Sequence, residues 1–188
     1  MNVSEVLDRI TTQLEGSGIA YMLVGSFASS FHGALRSTHD IDFVIEATPD
    51  QLRTLVPALQ RQGYYVELDA ALDAYRNESL FNVIDSTSGW KIDLIFRKSR
   101  PFDQEEFRRR VPARLFDIQL FVASAEDVIV SKLEWAKLGG SQRQIEDVGK
   151  VLAAQWGSLD QIYLSRWIGE LCLQDQWFAA KRFAEIAD

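Results

Sequence analysis

Three aspartates have the spacing of metal-binding carboxylates on β-strands. Asp40 and Asp42 lie two residues apart and alternate with apolar Ile41 and Phe43. Because side chains two residues apart on a strand point to the same face, their carboxylates should project together. Two negative charges ~4 Å apart repel by on the order of 4 kcal/mol at an effective dielectric constant near 20. A hard cation, Mg²⁺ or Mn²⁺ bridging to phosphates, is the expected counter-charge; the alternative is a solvated strand face.

The third carboxylate, Asp93, interrupts an otherwise apolar strand pattern at residues 91–96. A charged group in such a strand is costly unless it is paired or binds a metal. It could also take a proton from an attacking hydroxyl. These properties favour a role for Asp93 together with the first two aspartates.

Residues suited to phosphate binding surround the aspartate pair. Gly25 and Ser26 lie between a predicted strand and a predicted helix. Glycine allows close backbone approach there, and amides at a helix start bind phosphate; the alternative for Ser26 is a simple helix cap. Arg36 and Thr38, just before the pair, supply a cation and a hydroxyl for a triphosphate.

Other chemistries find no support in the sequence. His32 and His39 are the only histidines, and neither has cysteine or histidine partners at zinc-ligand spacing. The single cysteine, Cys172, has no histidine near it in sequence, and the phosphate loop of P-loop ATPases is absent. Zinc chemistry, a nucleophilic cysteine and a P-loop are therefore not predicted.

The bulk composition indicates an ordered, acidic protein. The chain has 188 residues, of which 47% are hydrophobic, and a net charge of −7, which argues against extensive nucleic-acid binding. The dense basic run within residues 108–114 is interpreted as a solvated face or partner contact. With one cysteine and no long apolar stretch, we expect a cytoplasmic protein without a membrane span.

Hydrophobic periodicity predicts the elements that position these residues. In the first half it predicts a helix from Ser4 to Gly16, strands at 21–24, 40–45, 64–68, 80–84 and 91–96, helices at 27–32 and 103–110, a helix opened by Thr48 and Pro49, and one or two strands within 113–122. Pro57 should kink or shorten its helix. The second half is predicted to be helical at 125–137, 143–156, 159–173 and 175–187, with Ser124 as a cap.

Residues 25–33 (GSFASSFHG) and 36–43 (RSTHDIDF) resemble the first motif of the polymerase-β-type nucleotidyltransferases. The similarity is greatest to small bacterial nucleotidyltransferase-like proteins related to the AbiEii toxins. Asp93 falls where the third acidic residue of that pattern would. The resemblance implies an α+β nucleotidyltransferase fold, with a mixed sheet flanked by helices as the catalytic domain over residues 1–123. A C-terminal helical region, residues 124–188, would pack on it.

The resemblance also implies the reaction. A nucleoside monophosphate would pass from an NTP, such as ATP, to an acceptor hydroxyl with release of pyrophosphate. Asp40 and Asp42 would hold Mg²⁺ (or Mn²⁺) on the triphosphate, and Asp93 would complete a second metal site or act as base. The family's helical lysine matches Lys132, expected to contact phosphates, and its later aspartate matches Asp147. The alternative for Lys132 is a surface lysine whose stem packs on apolar residues, and the alternative for Asp147 is an ordinary carboxylate on a helix surface.

The acceptor stays open among a small molecule, a tRNA end and a protein hydroxyl. An alternative function is a non-catalytic or regulatory module, or the toxin-like half of a toxin–antitoxin pair that contacts an antitoxin-like partner protein. A third is a metal-dependent phosphohydrolase using the same carboxylates. The chain is shorter than AbiEii-type toxins, so the resemblance does not extend to toxin activity.

Overall fold

The structure, a computed structural model, describes residues 3–186, which fall into two units. The first unit contains the described residues up to Ser26 and the segment Thr38–Val122. The second contains Phe27–Ser37 and the described residues from Ala123 onwards. Residues 27–37 thus belong to the second unit, although the sequence predicts that they lie within the catalytic domain over residues 1–123. The division into domains 1–123 and 124–188 remains a prediction.

The first unit is built on a mixed sheet. Its strands are β1 (Ala20–Val24), β2 (Asp40–Glu46), β3 (Tyr64–Tyr65), β4 (Leu80–Asp85), β5 (Lys91–Phe96), β6 (Val111–Leu115) and β7 (Ile118–Val122). Their order across the sheet is β3-β4-β5-β2-β1-β7-β6. Strand β2 is central, parallel to β5 on one side and antiparallel to β1 on the other. The central strand therefore has hydrogen-bonded neighbours along both edges.

Helices complete both units. They are α1 (Val3–Gly16), α2 (Gly25–Phe31), α3 (Pro49–Arg61), α4 (Leu68–Arg76), α5 (Pro101–Arg108), α6 (Ala125–Gly139), α7 (Gln142–Gln155), α8 (Gln161–Glu170) and α9 (Gln174–Phe183), with a 3₁₀ turn at Trp156–Ser158. Helices α1 and α4 contact strands of the sheet, and α3 packs against both helices. The sheet face with Ile41, Phe43 and Ile45 is fully buried, as expected for the apolar side of an alternating strand.

Several predicted elements are confirmed. The apolar stripe of α1, which includes Leu7 and Ile10, is fully buried. Thr48 caps α3 with a complete capping box, because its side chain accepts the Gln51 N–H while the Gln51 side chain accepts the Thr48 N–H. Strands β4 and β5 form the predicted antiparallel hairpin. Ser124 caps α6 by accepting the N–H of Asp127.

One expectation about the first unit is wrong, and another is tested only in part. The strand predicted at 64–68 is only two residues long, and residues 68–76 form α4 instead. That segment is rich in good helix formers, and Ala71 and Ala74, three residues apart, bury one face of the helix. Pro57 does not shorten α3, which continues to Arg61, while the alternative, a kink at Pro57, stays a prediction. Leu55 and Leu59, on either side of the proline, are fully buried, and this packing stabilises the helix although the proline removes a backbone hydrogen bond.

The second unit is helical from α6 onwards, as predicted. Helix α8 is shorter than predicted at both ends, since the 3₁₀ turn precedes it and Asp160 caps it. The last helix is predicted to reach 187, which lies outside the described residues, but α9 already ends at Phe183, with Ala184 as its C-cap. Over residues 3–186, every helix is too short or too polar to cross a lipid bilayer.

Candidate active site

The register of β2 and β5 brings the three candidate aspartates onto one face of the sheet. Asp42 is the direct cross-strand neighbour of Asp93, and Asp40 that of Lys91. Adjacent strands lie about 4.8 Å apart, and residues two apart on a strand share a face. Asp40 is exposed and Asp42 is partly buried, whereas only 9% of Asp93 is accessible. The carboxylates thus lie on the more open face, opposite Ile41 and Phe43.

Gly25 leaves the space in which the Asp42 carboxylate lies. Strand β1 ends at Val24, the cross-strand neighbour of Asp42, and the chain turns at Gly25 with φ of +63°. A Cβ at residue 25 would overlap Asp42 Oδ2 and lie 2.8 Å from its Cγ. Both the positive φ and the contact require glycine here. The glycine therefore permits a close approach, and the group that approaches it in the structure is Asp42.

Two side chains orient the Asp93 carboxylate. Lys91 Nζ donates to Asp93 Oδ2 at 2.9 Å, and Asn82 Nδ2 donates to Asp93 Oδ1. The bond to Asp93 raises the pKa of Lys91, and the negative charges of Asp93, Asp40 and Asp42 act in the same direction, against the effect of burial. An ammonium group is therefore already attracted to the acidic cluster. By acidic cluster we mean Asp40, Asp42 and Asp93.

Sequence reasoning did not identify Lys91 or Asn82 as part of this site. The signal for Lys91 was present, since it lies two residues before Asp93 on the same strand and must share its face. Asn82 depends on the hairpin register, which pairs it with Asp93. Only the order of strands in the sheet could show that β5, which carries Lys91 and pairs with the strand of Asn82, lies next to β2.

The donor set fits a hard divalent cation. Over the described residues 3–186, no group of three or more His, Cys, Asp or Glu side chains is already arranged as metal ligands. Nevertheless, the acidic cluster offers only carboxylate oxygens, which Mg²⁺ and Mn²⁺ prefer. The missing side chain at Gly25 gives Asp42 its space, and the Lys91 ammonium shows that a positive charge is stabilised beside Asp93. The residues present therefore fit the cation that the sequence predicts.

The other predicted nucleotide-binding residues of the first unit lie close in sequence to this face. Helix α2 begins at Gly25, so Ser26 lies in its first turn, and it is buried. Thr38 shapes the turn that enters β2, because its Oγ1 accepts the N–H of Asp40 at 3.2 Å. The structure therefore gives Thr38 a local structural role, and contact of either residue with a nucleotide stays a prediction.

In the second unit, Lys132 and Asp147 form a buried ion pair. Lys132 Nζ donates to Asp147 Oδ2 at 2.9 Å and to Gln144 Oε1 at 2.9 Å. Arg36 Nη1 lies 3.6 Å from the same Asp147 oxygen, so one carboxylate holds two cationic side chains. Only 5% of Lys132 and 1% of Asp147 are accessible. The interpretation of either as an ordinary surface residue is wrong, while their roles toward a nucleotide stay predictions.

His32 is also buried in the second unit. Its Nε2 lies 2.8 Å from the carbonyl oxygen of Ala123, which places the proton of the neutral ring on Nε2. Burial lowers the pKa of His32, and the Ala123 bond and the charge of Glu126 oppose that shift. Burial therefore favours the neutral form of this histidine, as expected for a packing residue.

The chain is similar to known proteins over most of its length. A family model described as nucleotidyltransferase of unknown function (DUF6036) matches residues 1–170. No curated protein matches the sequence significantly. Among solved structures, the solution structure of the antibiotic-resistance factor ANT(2'')-Ia is similar at 14% identity and a TM-score of 0.59, over 97% of each chain.

Two further solved structures are similar. The antigenic nucleotidyltransferase-like protein from Paracoccidioides brasiliensis has 14% identity and a TM-score of 0.55, over 94% of this chain and 91% of its own. The lincosamide antibiotic adenylyltransferase LnuA, lincomycin-bound, has 13% identity and a TM-score of 0.53, over 80% of this chain and 96% of its own. At such identities the likeness shows the fold alone. The predicted α+β nucleotidyltransferase fold is confirmed.

Proposed function

The chain belongs to the family of nucleotidyltransferases of unknown function (DUF6036), and we propose that it transfers a nucleoside monophosphate from an NTP to an acceptor hydroxyl. The observation that carries the proposal is the parallel register of β2 and β5. It makes Asp42 and Asp93 direct neighbours, with Asp40 on the same face. A carboxylate cluster of this kind on a nucleotidyltransferase fold is suited to an NTP and a divalent cation.

Each member of the acidic cluster has a proposed role. Asp40 and Asp42 would hold Mg²⁺ (or Mn²⁺), with Asp93 as a further ligand or as the proton acceptor. When bound, the cation supplies positive charge to the triphosphate and to the entering and leaving oxygens. The acceptor oxygen bonds to the α-phosphorus, the bond from that phosphorus to the bridging oxygen breaks, and pyrophosphate leaves. Asp93 is oriented for its role by the bonds from Lys91 and Asn82.

The remaining contacts to the nucleotide are proposed from the resemblance to the polymerase-β-type family. Gly25 and Ser26 would approach the phosphates, and Thr38 would present its hydroxyl. In the second unit Arg36 and Lys132 would bind phosphate oxygens, positioned by Asp147, which already holds both. Because the buried Asp147 carboxylate holds both cationic side chains in place before the nucleotide arrives, less entropy is lost when the nucleotide binds.

A small-molecule hydroxyl is the first acceptor to test, with ATP as donor. ANT(2'')-Ia has been solved in complex with adenylyl-2''-tobramycin, and this structure has 13% identity to the chain and a TM-score of 0.59, over 90% of the chain and 97% of its own. LnuA is a lincosamide adenylyltransferase. The fold therefore supports adenylyl transfer to small molecules in other proteins. A tRNA end and a protein hydroxyl remain alternative acceptors. We also propose that the chain is a bacterial, AbiEii-related protein that acts in the cytoplasm.

The proposal is tested with α-labelled NTPs, Mg²⁺ and a panel of acceptors of the three kinds. We expect pyrophosphate release that needs both metal and acceptor. The Asp42→Asn variant should lose at least about a hundredfold in rate, because metal and phosphate charge stabilisation is worth several kcal/mol. Glu46→Gln is the matched control, since Glu46 lies on the same face at the far end of β2 and pairs with Arg97 at 2.8 Å.

The alternatives give different results in the same experiments. Absence of NTP binding at millimolar concentration with Mg²⁺ would overturn the transferase proposal. Phosphate release without any acceptor indicates a phosphohydrolase instead. A stable stoichiometric protein partner, together with full cellular activity of Asp42→Asn, indicates a contact module such as half of a toxin–antitoxin pair.

A further inference from the structure

Lys91 is a cation placed inside a site that is predicted to bind a cation. Its Nζ lies 2.9 Å from Asp93 Oδ2, and its cross-strand neighbour on β2 is Asp40. The Lys91 side chain is 43% accessible and that of Asp93 13%. Lys91 therefore neutralises part of the acidic cluster while its side chain stays partly accessible to solvent.

A divalent ion on Asp93 would compete with this lysine. Mg²⁺ binds carboxylate oxygens at about 2.0–2.1 Å. An ion on Asp93 Oδ2 would then lie within about 5 Å of an ammonium that is 2.9 Å from the same oxygen. Because both groups are positive and the carboxylate is mostly buried, water screens their repulsion only in part. Simultaneous binding of both cations to this oxygen is therefore unfavourable.

We propose that Lys91 is an internal counter-cation that occupies the acidic cluster in the metal-free protein and leaves Asp93 when the divalent ion binds. The proposal rests on the proposed function, since the ion concerned is the one that serves the transfer. Lysine suits this exchange, because its long flexible side chain carries a strongly hydrated charge and can turn to solvent without moving the strand. Lys91 is thus a positioning residue that keeps Asp93 oriented and weakens the binding of metal without nucleotide.

The test measures Mn²⁺ alone with the full-length, nucleotide-free protein, following the free ion by electron paramagnetic resonance. The Lys91→Met variant should bind Mn²⁺ about tenfold more tightly than wild type, a change of about 1.4 kcal/mol. Lys91→Arg keeps the charge and should stay near the wild-type affinity. Lys98→Met is the matched control, because it removes one exposed lysine beyond the other end of β5, about 20 Å along the chain.

A second measurement follows thermal unfolding, first without metal and then with Mn²⁺. In excess chelator, Lys91→Met should unfold at a lower temperature than wild type, since the carboxylates lose their counter-charge, and Mn²⁺ should raise its melting temperature more than that of wild type. Lys91→Arg and Lys98→Met should show neither change.

The two proposals fail in distinguishable ways. If Asp42→Asn removes Mn²⁺ binding while Lys91→Met binds like wild type, the counter-cation proposal is overturned and the metal site stands. If neither wild type nor Lys91→Met binds Mn²⁺ at millimolar concentration, the proposed transferase site is overturned together with it.

Discussion

Alanine variants at two glycines, Gly25 and Gly18, separate an effect on the candidate site from an effect on stability. Gly25 has φ of +63°, and a Cβ there would overlap Asp42 Oδ2 and lie 2.8 Å from Cγ. A neighbouring glycine, Gly18, has almost the same φ, +65°, but a Cβ there would meet only Gln51 Nε2, at 3.5 Å. The Gly18→Ala variant therefore carries the same backbone strain without displacing a candidate site residue.

The magnitudes follow from these distances. An alanine in the left-handed region costs about 1–2 kcal/mol, so both variants should lose about that much free energy of unfolding. In Gly25→Ala the Asp42 Cγ must also retreat by about 0.6 Å to reach ordinary contact at 3.4 Å, and Oδ2 must move further. A misplacement of about 1 Å can cost about a hundredfold in rate, so Gly25→Ala should lose about that factor. Gly18→Ala should stay within a few-fold of wild type.

Urea unfolding and metal-dependent pyrophosphate release, measured on both variants, provide the assay. We expect similar stability losses and a large difference in rate. Equal rates for the two alanine variants would refute the steric reasoning, because the backbone strain alone would then explain the Gly25 effect. A rate loss in Gly25→Ala with unchanged Mn²⁺ affinity would place the damage away from the carboxylate.

Two further predictions concern the second unit. Replacing Lys132 by methionine leaves the buried Asp147 without its nearest cation and should lower the free energy of unfolding, measured in urea, by about 3 kcal/mol. Adding Asp147→Asn to this variant should restore part of the lost stability. A double variant less stable than Lys132→Met would contradict this account. For His32, whose pKa is lowered by burial, the unfolded chain takes up a proton first as pH falls, so its contribution is complete above the unfolded pKa near 6.5 and is lost below it. Stability should therefore fall between pH 7.5 and 5.5 in a His39→Gln background, and His32→Gln should reduce that fall; equal slopes would show that His32 is not its source.

The sequence supports the local features of the candidate site. The alternation of Asp40 and Asp42 with Ile41 and Phe43 is strand periodicity, and β2 follows it residue by residue. Local patterns of this kind depend on a few neighbouring residues, so they are readable from one chain. The aspartates of β2 can therefore be placed on one face from the amino-acid sequence alone.

Non-local pairing could not be derived in the same way. No residue of β5 specifies that β2 will lie beside it in parallel, yet this pairing makes Asp42 and Asp93 neighbours. The order of strands depends on the packing of the whole sheet, and only the family resemblance indicated it. For the same reason, the bonds from Lys91 and Asn82 to Asp93 were not predicted.

Competing local signals explain the missed helix. The aromatic pair Tyr64 and Tyr65 favours a strand, and the sequence predicts that this strand extends to Leu68. The structure ends the strand at Tyr65 and begins α4 at Leu68. Burial of Ala71 and Ala74 decides the outcome, and burial is a property of the folded chain.

Residues 27–37 pack with a segment of the chain that is synthesised much later. His32 bonds to Ala123, and Gly33 lies so close to Ala154 that a Cβ at residue 33 would be 2.5 Å from the Ala154 side chain. During synthesis on a ribosome, this early segment must wait for more than half of the protein to emerge before its partners exist. A gene shortened after codon 122 would leave residues 27–37 without these partners. We therefore expect a low yield of folded product, although all the strands of the sheet would be present.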